Sequence, residues 1–378
     1  MMNESMSLAI STLLNPERLS GALGEARAAS RVRIKPGVSV SASLVDADGV
    51  PAGWARILWP AASPKADKTA RKARSLGLPT RIRPLPFDLR IQWGGVESDP
   101  ALMTHIARAA AAGSVDPATW SILRHNPLRR IVARSGGTIV RIRTHSRRVD
   151  TALGRYLQEA IPVPERLDDA ADPHVCVLSD AGGCDLSTPR GSAEQVLSWN
   201  EEAGGLFARL HASAPPLHVR AALAAPAPST PDTLRVHAAI IGVLDADLGA
   251  RIEALARVAP EAPGGACAII HADASPDQVL VSGSGRLLLA DFDRARMGNA
   301  ALDVASYTAA TGPDAASAFL RGYEQAGGCI PDVVTMAAAV LHARALSLAD
   351  PLREARPDWA LRVGQSLDLM EENTHGTH

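Results

Sequence analysis

The side chains with the clearest chemical potential lie together in one stretch of the sequence, residues 266–293. Two apolar runs in this stretch are separated by Ser-Gly-Ser-Gly, which is typical of a hairpin turn. Because the strands of a hairpin are antiparallel, residues before the first strand and after the second are expected at the same edge. The residues at these positions are His271, Asp273 and Gln278 before the hairpin, and Asp291 and Asp293 after it. Carboxylate and amide oxygens are the ligands that Mg²⁺ prefers, and a carboxylate can accept the proton of a hydroxyl group.

The spacing of these residues resembles the aminoglycoside phosphotransferase and choline kinase-like family of small-molecule kinases. Asp273 precedes Gln278 by five positions, the spacing of the catalytic loop that reads HGDxxxxN in this family. The Asp-Phe-Asp tripeptide that starts at Asp291 stands where the family has its DFD or DFE metal-binding loop. Asp303, in the segment GNAALDVASY, is similar to the last aspartate of the family's GDPxxDLA segment.

The resemblance covers the order of elements over residues 119–350, and its motifs are specific within residues 271–303. It implies an α+β, protein-kinase-like fold with two lobes: a small, β-rich N-lobe over residues 119–180 and a larger, mostly helical C-lobe over residues 181–378. Residues 1–118 are then either an N-terminal cap with a β-hairpin and helices, as in maltokinase-like proteins, or an interaction surface that gates the cleft. A cleft between two such lobes is where a ligand is expected.

The resemblance also implies a role for each polar residue of the two loops. Asp273 orients a substrate hydroxyl and takes its proton during transfer. Asp291 binds Mg²⁺, and Asp293 is either a second metal ligand or a brace for the loop. His271 supports the loop through hydrogen bonds to the backbone.

Three positions depart from the family's pattern. Gln278 replaces an asparagine; it offers the same amide oxygen one methylene further out, as in the maltokinases, and both metal binding and a structural hydrogen bond remain open. Ala272 replaces a glycine, which adds a side chain to a tight loop. Strand alternation places Ile139 and Arg141 on one face of a segment that resembles the VAIK strand, with arginine where lysine holds the phosphates. Arg141 either clamps phosphate or is a solvated residue on the strand face.

The missing lysine has few substitutes, because the chain has four lysines and none after Lys72. Lys68 or Lys72 from the cap is one alternative source of the charge. The acidic partner of Arg141 is expected on the next helix, where the spacing favours Asp150 over Glu159.

Other contacts with the nucleotide are inferred from the order of elements alone. Residues 125–130 stand in place of the phosphate-covering loop, and Arg129 either contacts phosphate or belongs to a solvated basic turn. The hinge that offers backbone groups to adenine is expected to include Val177, Ser179, Asp180 and Ala181.

Hydrophobic patterning predicts elements outside these loops. Residues 31–59 and 121–144 each read as a β-hairpin, and their similarity indicates a weak internal repeat, a duplicated sheet unit. Helices are expected after a cap at Ser192 and over residues 234–258, with a surface connection over residues 214–233 between them.

Composition limits the classes of partner. The 378 residues include 39 basic and 40 acidic ones, a formal charge of −1, so no global charge draws the chain to nucleic acid or to an anionic membrane. Four cysteines lie far apart without a zinc-binding spacing, and no window holds eighteen uninterrupted apolar residues. We therefore expect a soluble, cytoplasmic protein whose partners are small molecules.

Two functional hypotheses follow. The first is a kinase that transfers the γ-phosphoryl group of ATP or GTP, with Mg²⁺, to a hydroxyl of a sugar, aminoglycoside or amino-alcohol-like acceptor. The second is a pseudokinase, a nucleotide-binding or regulatory module that has lost transfer chemistry. The three departures from the family's pattern favour this hypothesis. No HExxH, GxSxG or Cys/His motif supports a metalloprotein or hydrolase of another class. The identity of the acceptor and the oligomeric state stay open.

Overall fold

The computed structural model describes residues 2–145, 148–167, 172–265 and 268–375. Two antiparallel sheets, each covered by helices, precede a mostly helical body. The α+β class expected from the sequence is thus confirmed.

The first unit, here called the cap, is a five-stranded antiparallel sheet. Its elements are α1 (Met2–Leu14), α2 (Pro16–Leu23), β1 (Ala28–Lys35), β2 (Ser39–Val45), β3 (Pro51–Leu58), α3 (Pro64–Ser75), β4 (Thr80–Pro84) and β5 (Arg90–Gly94). The strands are ordered β1-β2-β3-β5-β4. Because side chains alternate along a strand, Val40, Leu44 and Ile57 share one face, and this face packs with apolar residues of α1 and α2.

The second unit, here called the N-lobe, has a sheet ordered β6-β7-β8-β9. Its elements are α4 (Met103–Ala111), β6 (Ser121–Asn126), β7 (Arg130–Ser135), β8 (Thr138–Arg143), α5 (Arg148–Ala160) and β9 (Val175–Ser179). Residues 165–167 pair with the outer edge of β9, where the N–H of Leu167 donates to the carbonyl of Val177. The apolar face of the sheet packs on α4, which therefore belongs to the N-lobe although it precedes residue 119.

The internal repeat expected from the two hairpins is confirmed by strand order and register. In the cap, three antiparallel strands are followed by α3, β4 and β5, and β5 pairs with β3. In the N-lobe, three antiparallel strands are followed by α5, residues 165–167 and β9, and β9 pairs with β8. The β1–β2 and β6–β7 hairpins each carry an irregularity in register at the same place. The N–H of Trp59 donates to the carbonyl of Val38, and the N–H of Thr144 donates to that of Arg129 at the equivalent position. The cap thus repeats the topology of the N-lobe.

The remaining residues form the helical C-lobe. Its strands are β10 (Cys184–Asp185), β11 (Ala268–Ile270), β12 (Val279–Val281), β13 (Leu287–Leu289) and β14 (Arg296–Gly298). Its helices are α6 (Ala193–Ala212), α7 (Leu217–Ala222), α8 (Thr230–Ile241), α9 (Ala246–Val258), α10 (Ala301–Ala309), α11 (Pro313–Gln325), α12 (Val333–Ser347), α13 (Asp350–Arg353) and α14 (Trp359–His375). The hydroxyl of Ser192 accepts the N–H of Gln195, as predicted for the start of α6.

The expectation of a single helix over residues 234–258 is wrong, and α7 and the start of α8 lie within the expected connection. The chain turns between α8 and α9, where the carboxylate of Asp245 caps the new helix by accepting the N–H of Leu248. A Cβ on Gly249 would lie 2.5 Å from the Cα of Gly242, so the two helices cross too closely for any larger residue.

A second close crossing, between α6 and α11, supplies a test of the packing. A Cβ on Gly204 would lie 2.0 Å from the carbonyl oxygen of Phe319, and we expect Gly204→Ala to lower the free energy of unfolding by about 2 kcal/mol because the helices must separate. Gly205 is the matched control, since its added Cβ would meet no atom closer than 3.7 Å. Gly205→Ala is expected to raise the free energy of unfolding by about 0.8 kcal/mol through helix propensity. Urea denaturation measures both; equal effects would contradict the close crossing.

One stretch, Val333–Arg353, is long and apolar enough to cross a membrane by length and composition alone. The core helices of soluble proteins meet the same two criteria. Leu341, Ala345 and Leu352 of this stretch are buried in a core that α8, α9 and α14 share.

Candidate active site

The predicted hairpin is formed by β12 and β13, and it holds the neighbouring loops together. Val279 pairs with Leu289, and the carbonyl of Gln278 accepts the N–H of Ala290. Nε2 of His271, which directly follows β11, donates to the carbonyl of Ala290 at 2.7 Å. The residues before and after the hairpin therefore meet at one edge, and His271 has the bracing position that the resemblance implies.

Asp303 fixes the loop that carries Asp273. Its carboxylate is fully buried and accepts the N–H groups of His271, at 2.6 Å, and Ala272, at 2.8 Å. Nε2 of His211 lies 3.1 Å from the same carboxylate. Burial acts to raise the pKa of Asp303, but the hydrogen bonds from His211 and the loop outweigh it and lower that pKa. Asp303 thus positions the loop from behind.

Ala272 adopts a φ of +61°, in the left-handed region that favours glycine. A side chain in this conformation destabilises the folded protein by about 1–2 kcal/mol. Glycine removes this strain, but it also stabilises the unfolded chain by less than about 1 kcal/mol because it has more conformational entropy there. We therefore expect Ala272→Gly to raise the free energy of unfolding by about 0.5 kcal/mol. The control is Ala274→Gly, at a buried position without positive φ, which is expected to lower it by about 1 kcal/mol. Chemical denaturation measures both, and a loss of stability in Ala272→Gly would show that the loop does not need glycine.

Asp273, the candidate base, is partly exposed and pairs with an arginine. Its Oδ1 accepts a hydrogen bond from Nη1 of Arg294 at 2.6 Å. Burial raises the pKa of Asp273, Arg294 opposes this, and the Asp291 carboxylate adds to the rise. A raised pKa makes the carboxylate a better proton acceptor.

Gln278 is buried next to a carboxylate that the sequence analysis did not single out. Its Nε2 donates to Oδ2 of Asp277 at 2.8 Å, which leaves the amide oxygen as the atom for a metal ion. Asp277 lines the cleft between the lobes, whereas Gln278 is not among the lining residues. The sequence feature that could have identified Asp277 as a site residue is its position inside the catalytic loop, directly before Gln278.

Asp291 and Asp293 face arginines from the N-lobe sheet. Nη1 of Arg130 lies 2.9 Å from a carboxylate oxygen of Asp291 and 2.6 Å from one of Asp293. Nη2 of Arg141 lies 2.7 Å and 2.9 Å from the same two groups, and Nη1 of Arg143 lies 3.1 Å from Asp293. Charge-assisted hydrogen bonds thus join the two lobes across the cleft.

These ion pairs keep both partners charged. Burial acts to raise the pKa of Asp291, but Arg141 and Arg130 outweigh it and lower that pKa. Burial likewise acts to lower the pKa of Arg141, and Asp291 and Asp293 raise it. A cation bound at Asp291 therefore has to share this carboxylate with arginines.

Strand register explains the concentration of arginines. Arg124, Val132, Arg141 and Cys176 form one row across the four strands. On the opposite face, alternate residues form the apolar core with α4. The arginines on the cleft face that the sequence analysis did not single out are Arg124, Arg134 and Arg143, whereas Arg130 belongs to the predicted phosphate-covering segment. The sequence feature that could have placed the arginines of β7 and β8 on one face is their alternation with Ile and Val.

Among the described side chains, the acids that pair with Arg141 are Asp291 and Asp293 of the metal loop. Glu159 is exposed and lines a separate surface pocket beyond the cleft. The side chain of Asp150 lies outside the described residues. The partner on the next helix therefore stays a prediction, whereas two carboxylates of the metal loop contact the guanidinium directly.

The basic residues expected near the phosphates divide into two groups. Arg129 is exposed and forms no side-chain ion pair with a described residue, whereas the adjacent Arg130 reaches the two aspartates. Lys68 and Lys72 lie exposed on α3 and do not line the cleft.

The cleft between the lobes has a volume of about 800 Å³, within the range of small-molecule sites. The predicted nucleotide-binding residues that line it are Ile139, Arg141, Ser179, Asp180 and Ala181. Val177 does not line it, because strand alternation turns this side chain to the core, and its carbonyl is engaged by Leu167. Asp180 is held by Arg134 at 2.5 Å.

Solved structures with similar folds are phosphotransferases and kinases. A mutant aminoglycoside 2'-phosphotransferase IIIa in complex with GDP is 16% identical, with a TM-score of 0.50 and coverage of 72% of this chain and 97% of that one. Spectinomycin phosphotransferase with ADP and spectinomycin is 13% identical, with a TM-score of 0.48 and coverage of 68% and 90%. A choline/ethanolamine kinase family protein from Mesorhizobium loti is 17% identical, with a TM-score of 0.45 and coverage of 72% and 95%. No curated protein matches the sequence.

The two-lobed fold and the loops at its cleft define a phosphotransferase of the kinase-like class. Residues 125–339, more than half of the chain, match the sequence profile of the phosphotransferase enzyme family, APH. The chain belongs to this family, and the resemblance seen in the sequence is confirmed. The protein is a phosphotransferase that acts on small molecules with an alcohol group as acceptor.

Proposed function

We propose that this phosphotransferase transfers the γ-phosphoryl group of ATP or GTP to a hydroxyl of its acceptor, with Mg²⁺. The observation that supports this best is the meeting of three distant parts of the chain. Arg141 pairs with Asp291 across the cleft, and Asp273 lies within electrostatic reach of Asp291. Phosphoryl transfer needs such a base, a metal-binding carboxylate and a cation for the phosphates in one place.

The donor set fits Mg²⁺. Asp291, Asp293 and the amide oxygen of Gln278 are hard oxygen ligands, and Asp277 offers a further carboxylate beside them. When bound, the ion neutralises the negative charge on the nucleotide phosphates. Arg130 and Arg141 keep the carboxylates ionised for this purpose at neutral pH.

The chain's own residues supply the remaining functions. Asp273 orients the acceptor hydroxyl and takes its proton as the bond to phosphorus forms. Arg141 contacts the phosphates, and Ile139 provides an apolar surface for the base. Ser179, the last residue of β9, and the next two residues, Asp180 and Ala181, form the hinge for the purine.

The acceptor is a sugar, an aminoglycoside or an amino alcohol in this proposal. The similar solved structures include a spectinomycin phosphotransferase and a choline/ethanolamine kinase family protein, so this fold serves several acceptor classes. We place the protein in the cytoplasm, without nucleic acid or membrane partners, because the net charge of −1 provides no general attraction to either.

A transfer assay tests the proposal. The full chain is incubated with Mg²⁺, γ-labelled ATP or GTP, and a panel of sugars, aminoglycosides and amino alcohols. We expect acceptor-dependent transfer of label that EDTA abolishes. The absence of both label transfer and a nucleotide-dependent rise in Tm would remove the proposal.

A binding module without transfer is the second candidate. The observation that favours it is the engagement of Asp291 and Asp293 by three arginines, which compete with a metal ion for the same oxygens. A rise in Tm with nucleotide, together with no transfer to any acceptor, would select this alternative.

A further inference from the structure

Positively charged side chains without acidic partners lie where the cap meets the N-lobe. This group, here called the cap cation cluster, consists of Arg33 and Lys35 in β1, Lys65 in α3, and Arg129 in the β6–β7 turn. None of the four forms a side-chain hydrogen bond or ion pair with a described residue. Lys35, Lys65 and Arg129 are exposed and thus accessible to a ligand.

The duplicated topology explains how the two parts of the cluster come together. The β1–β2 and β6–β7 turns are equivalent, and both reverse at a residue of positive φ, Gly37 at +68° and Leu128 at +63°. Buried Asp99 accepts the N–H of Leu128 at 2.9 Å and lies 3.1 Å from Nε2 of His125. Nδ1 of His125 lies 3.4 Å from the hydroxyl of Ser43 in β2. The N-lobe turn is thereby fastened to the cap.

Mutual repulsion links the cluster to the candidate base. Arg33 does most to lower the pKa of Lys35, followed by burial and the other two members of the cluster. Burial and then Arg33 lower the pKa of Arg129, with a further contribution from Arg294. Arg294 in turn pairs with Asp273 at 2.6 Å. A row of cations thus leads from the cap to the site of phosphoryl transfer.

The acids nearest to this row are already engaged. Asp273 pairs with Arg294, and Asp291 and Asp293 pair with arginines of the N-lobe sheet. Asp293 offsets part of the positive charge of Arg129, but its carboxylate is shared with Arg130, Arg141 and Arg143, so the cluster keeps a net positive charge. Like charges held close together cost free energy, which an anion bound between them recovers.

We infer that the cap cation cluster binds an anionic group of the acceptor, so that the acceptor is a hydroxyl compound bearing a phosphate or a carboxylate. This inference deepens the proposed function and rests on it. Guanidinium groups bind phosphate and carboxylate through paired, charge-assisted hydrogen bonds, which suits Arg33 and Arg129 to this task. A polycationic acceptor would be repelled from the same surface.

The phosphates of the nucleotide are the competing source of negative charge. Arg124, Arg130 and Arg141 are better placed for them, because they lie on the cleft face of the N-lobe sheet. Among the described residues, the buried Nε atoms of Arg124 and Arg130 have no hydrogen-bond partner, so the donor capacity of these two guanidinium groups on the cleft face is not exhausted. The cap cation cluster thus adds a second anionic subsite.

Calorimetric titration of the full chain with inorganic pyrophosphate tests the inference. The titration is done with and without a saturating, non-hydrolysable ATP analogue and Mg²⁺, which blocks the nucleotide site. The test variant is Arg33→Gln combined with Lys35→Gln. The matched control, Lys68→Gln combined with Arg71→Gln, removes the same charge from exposed positions of α3.

We expect pyrophosphate to bind to the wild type in the presence of the analogue. The test variant should raise the Kd for pyrophosphate about 10-fold or more, whereas the control variant should change it by no more than about twofold. The Kd for the analogue should stay within about twofold in both variants. With glucosamine, glucose and glucose 6-phosphate, acceptors that share a sugar ring and differ in charge, transfer should favour the phosphate-bearing sugar in the wild type and lose that preference in the test variant. Pyrophosphate binding that the analogue abolishes, or that the test variant leaves unchanged, would overturn the inference. The inference would also be overturned if the test variant weakened binding of the ATP analogue as much as it weakened binding of pyrophosphate.

The two proposals fail in distinguishable ways. If the analogue does not bind and no label is transferred, the proposed function is wrong, yet pyrophosphate titration without nucleotide still reports on the cluster. If transfer occurs but neutral or cationic acceptors are preferred over anionic ones, the proposed function stands and the anionic subsite does not.

Discussion

Replacement of Asp273 by Asn will lower kcat for acceptor phosphorylation by about 1,000-fold, with the Kd for nucleotide and Mg²⁺ unchanged within about twofold. The amide keeps the size of the side chain and its capacity to accept the hydrogen bond from Arg294, but it cannot take the proton of a hydroxyl. Because the pKa of Asp273 is raised by burial, the wild-type carboxylate is a stronger base than an exposed one. Steady-state kinetics and a separate nucleotide titration measure the two quantities.

The control for this substitution is Asp314→Asn, at an exposed position in the first turn of α11. It changes the same charge far from the loop and is expected to leave kcat unaltered. If Asp273→Asn kept more than about a tenth of the wild-type kcat, the proton would have another acceptor and the assignment of Asp273 as base would be wrong.

Replacement of Asp303 by Ala will lower the free energy of unfolding by about 3–5 kcal/mol. The carboxylate is fully buried and accepts hydrogen bonds from the backbone of His271 and Ala272, with His211 behind it. Its removal leaves two backbone N–H groups and Nε2 of His211 without the partner they have in a site that water does not reach. Urea denaturation at pH 7 measures the loss.

The pH dependence of this loss has a definite sign. The pKa of Asp303 is lowered in the folded protein, so the stabilisation is fully present above the pKa of the unfolded carboxyl group, about 4. It is lost as the pH falls from there through the lower, folded pKa. The difference in the free energy of unfolding between wild type and Asp303→Ala should therefore shrink in acid. A gap below about 1 kcal/mol at pH 7, or one independent of pH, would contradict the role of Asp303.

The catalytic loops were readable because their chemistry depends on local spacing. The five positions from Asp273 to Gln278, the hairpin and the Asp-Phe-Asp tripeptide after it are short-range features. A hairpin brings its own two ends together whatever the rest of the chain does. The internal repeat was visible for the same reason, since each copy begins with a hairpin of its own.

Contacts between distant segments were not readable. The pairing of Arg141 with Asp291 joins residues 150 positions apart, whereas the sequence spacing pointed only to partners on the next helix. The direction of Val177 away from the cleft depended on which face of the N-lobe sheet is covered by α4. The break between α8 and α9 depended on a close helix crossing.

The sequence by itself determined the family, the α+β class and the loops that carry Asp273 and Asp291, because these follow from local order along the chain. Only the tertiary structure decided which arginines share the carboxylates, where the cap lies and which cations remain without acidic partners. The physical reason is that electrostatic pairing and burial depend on distance in space, which the packing of the two sheets and the helical lobe sets.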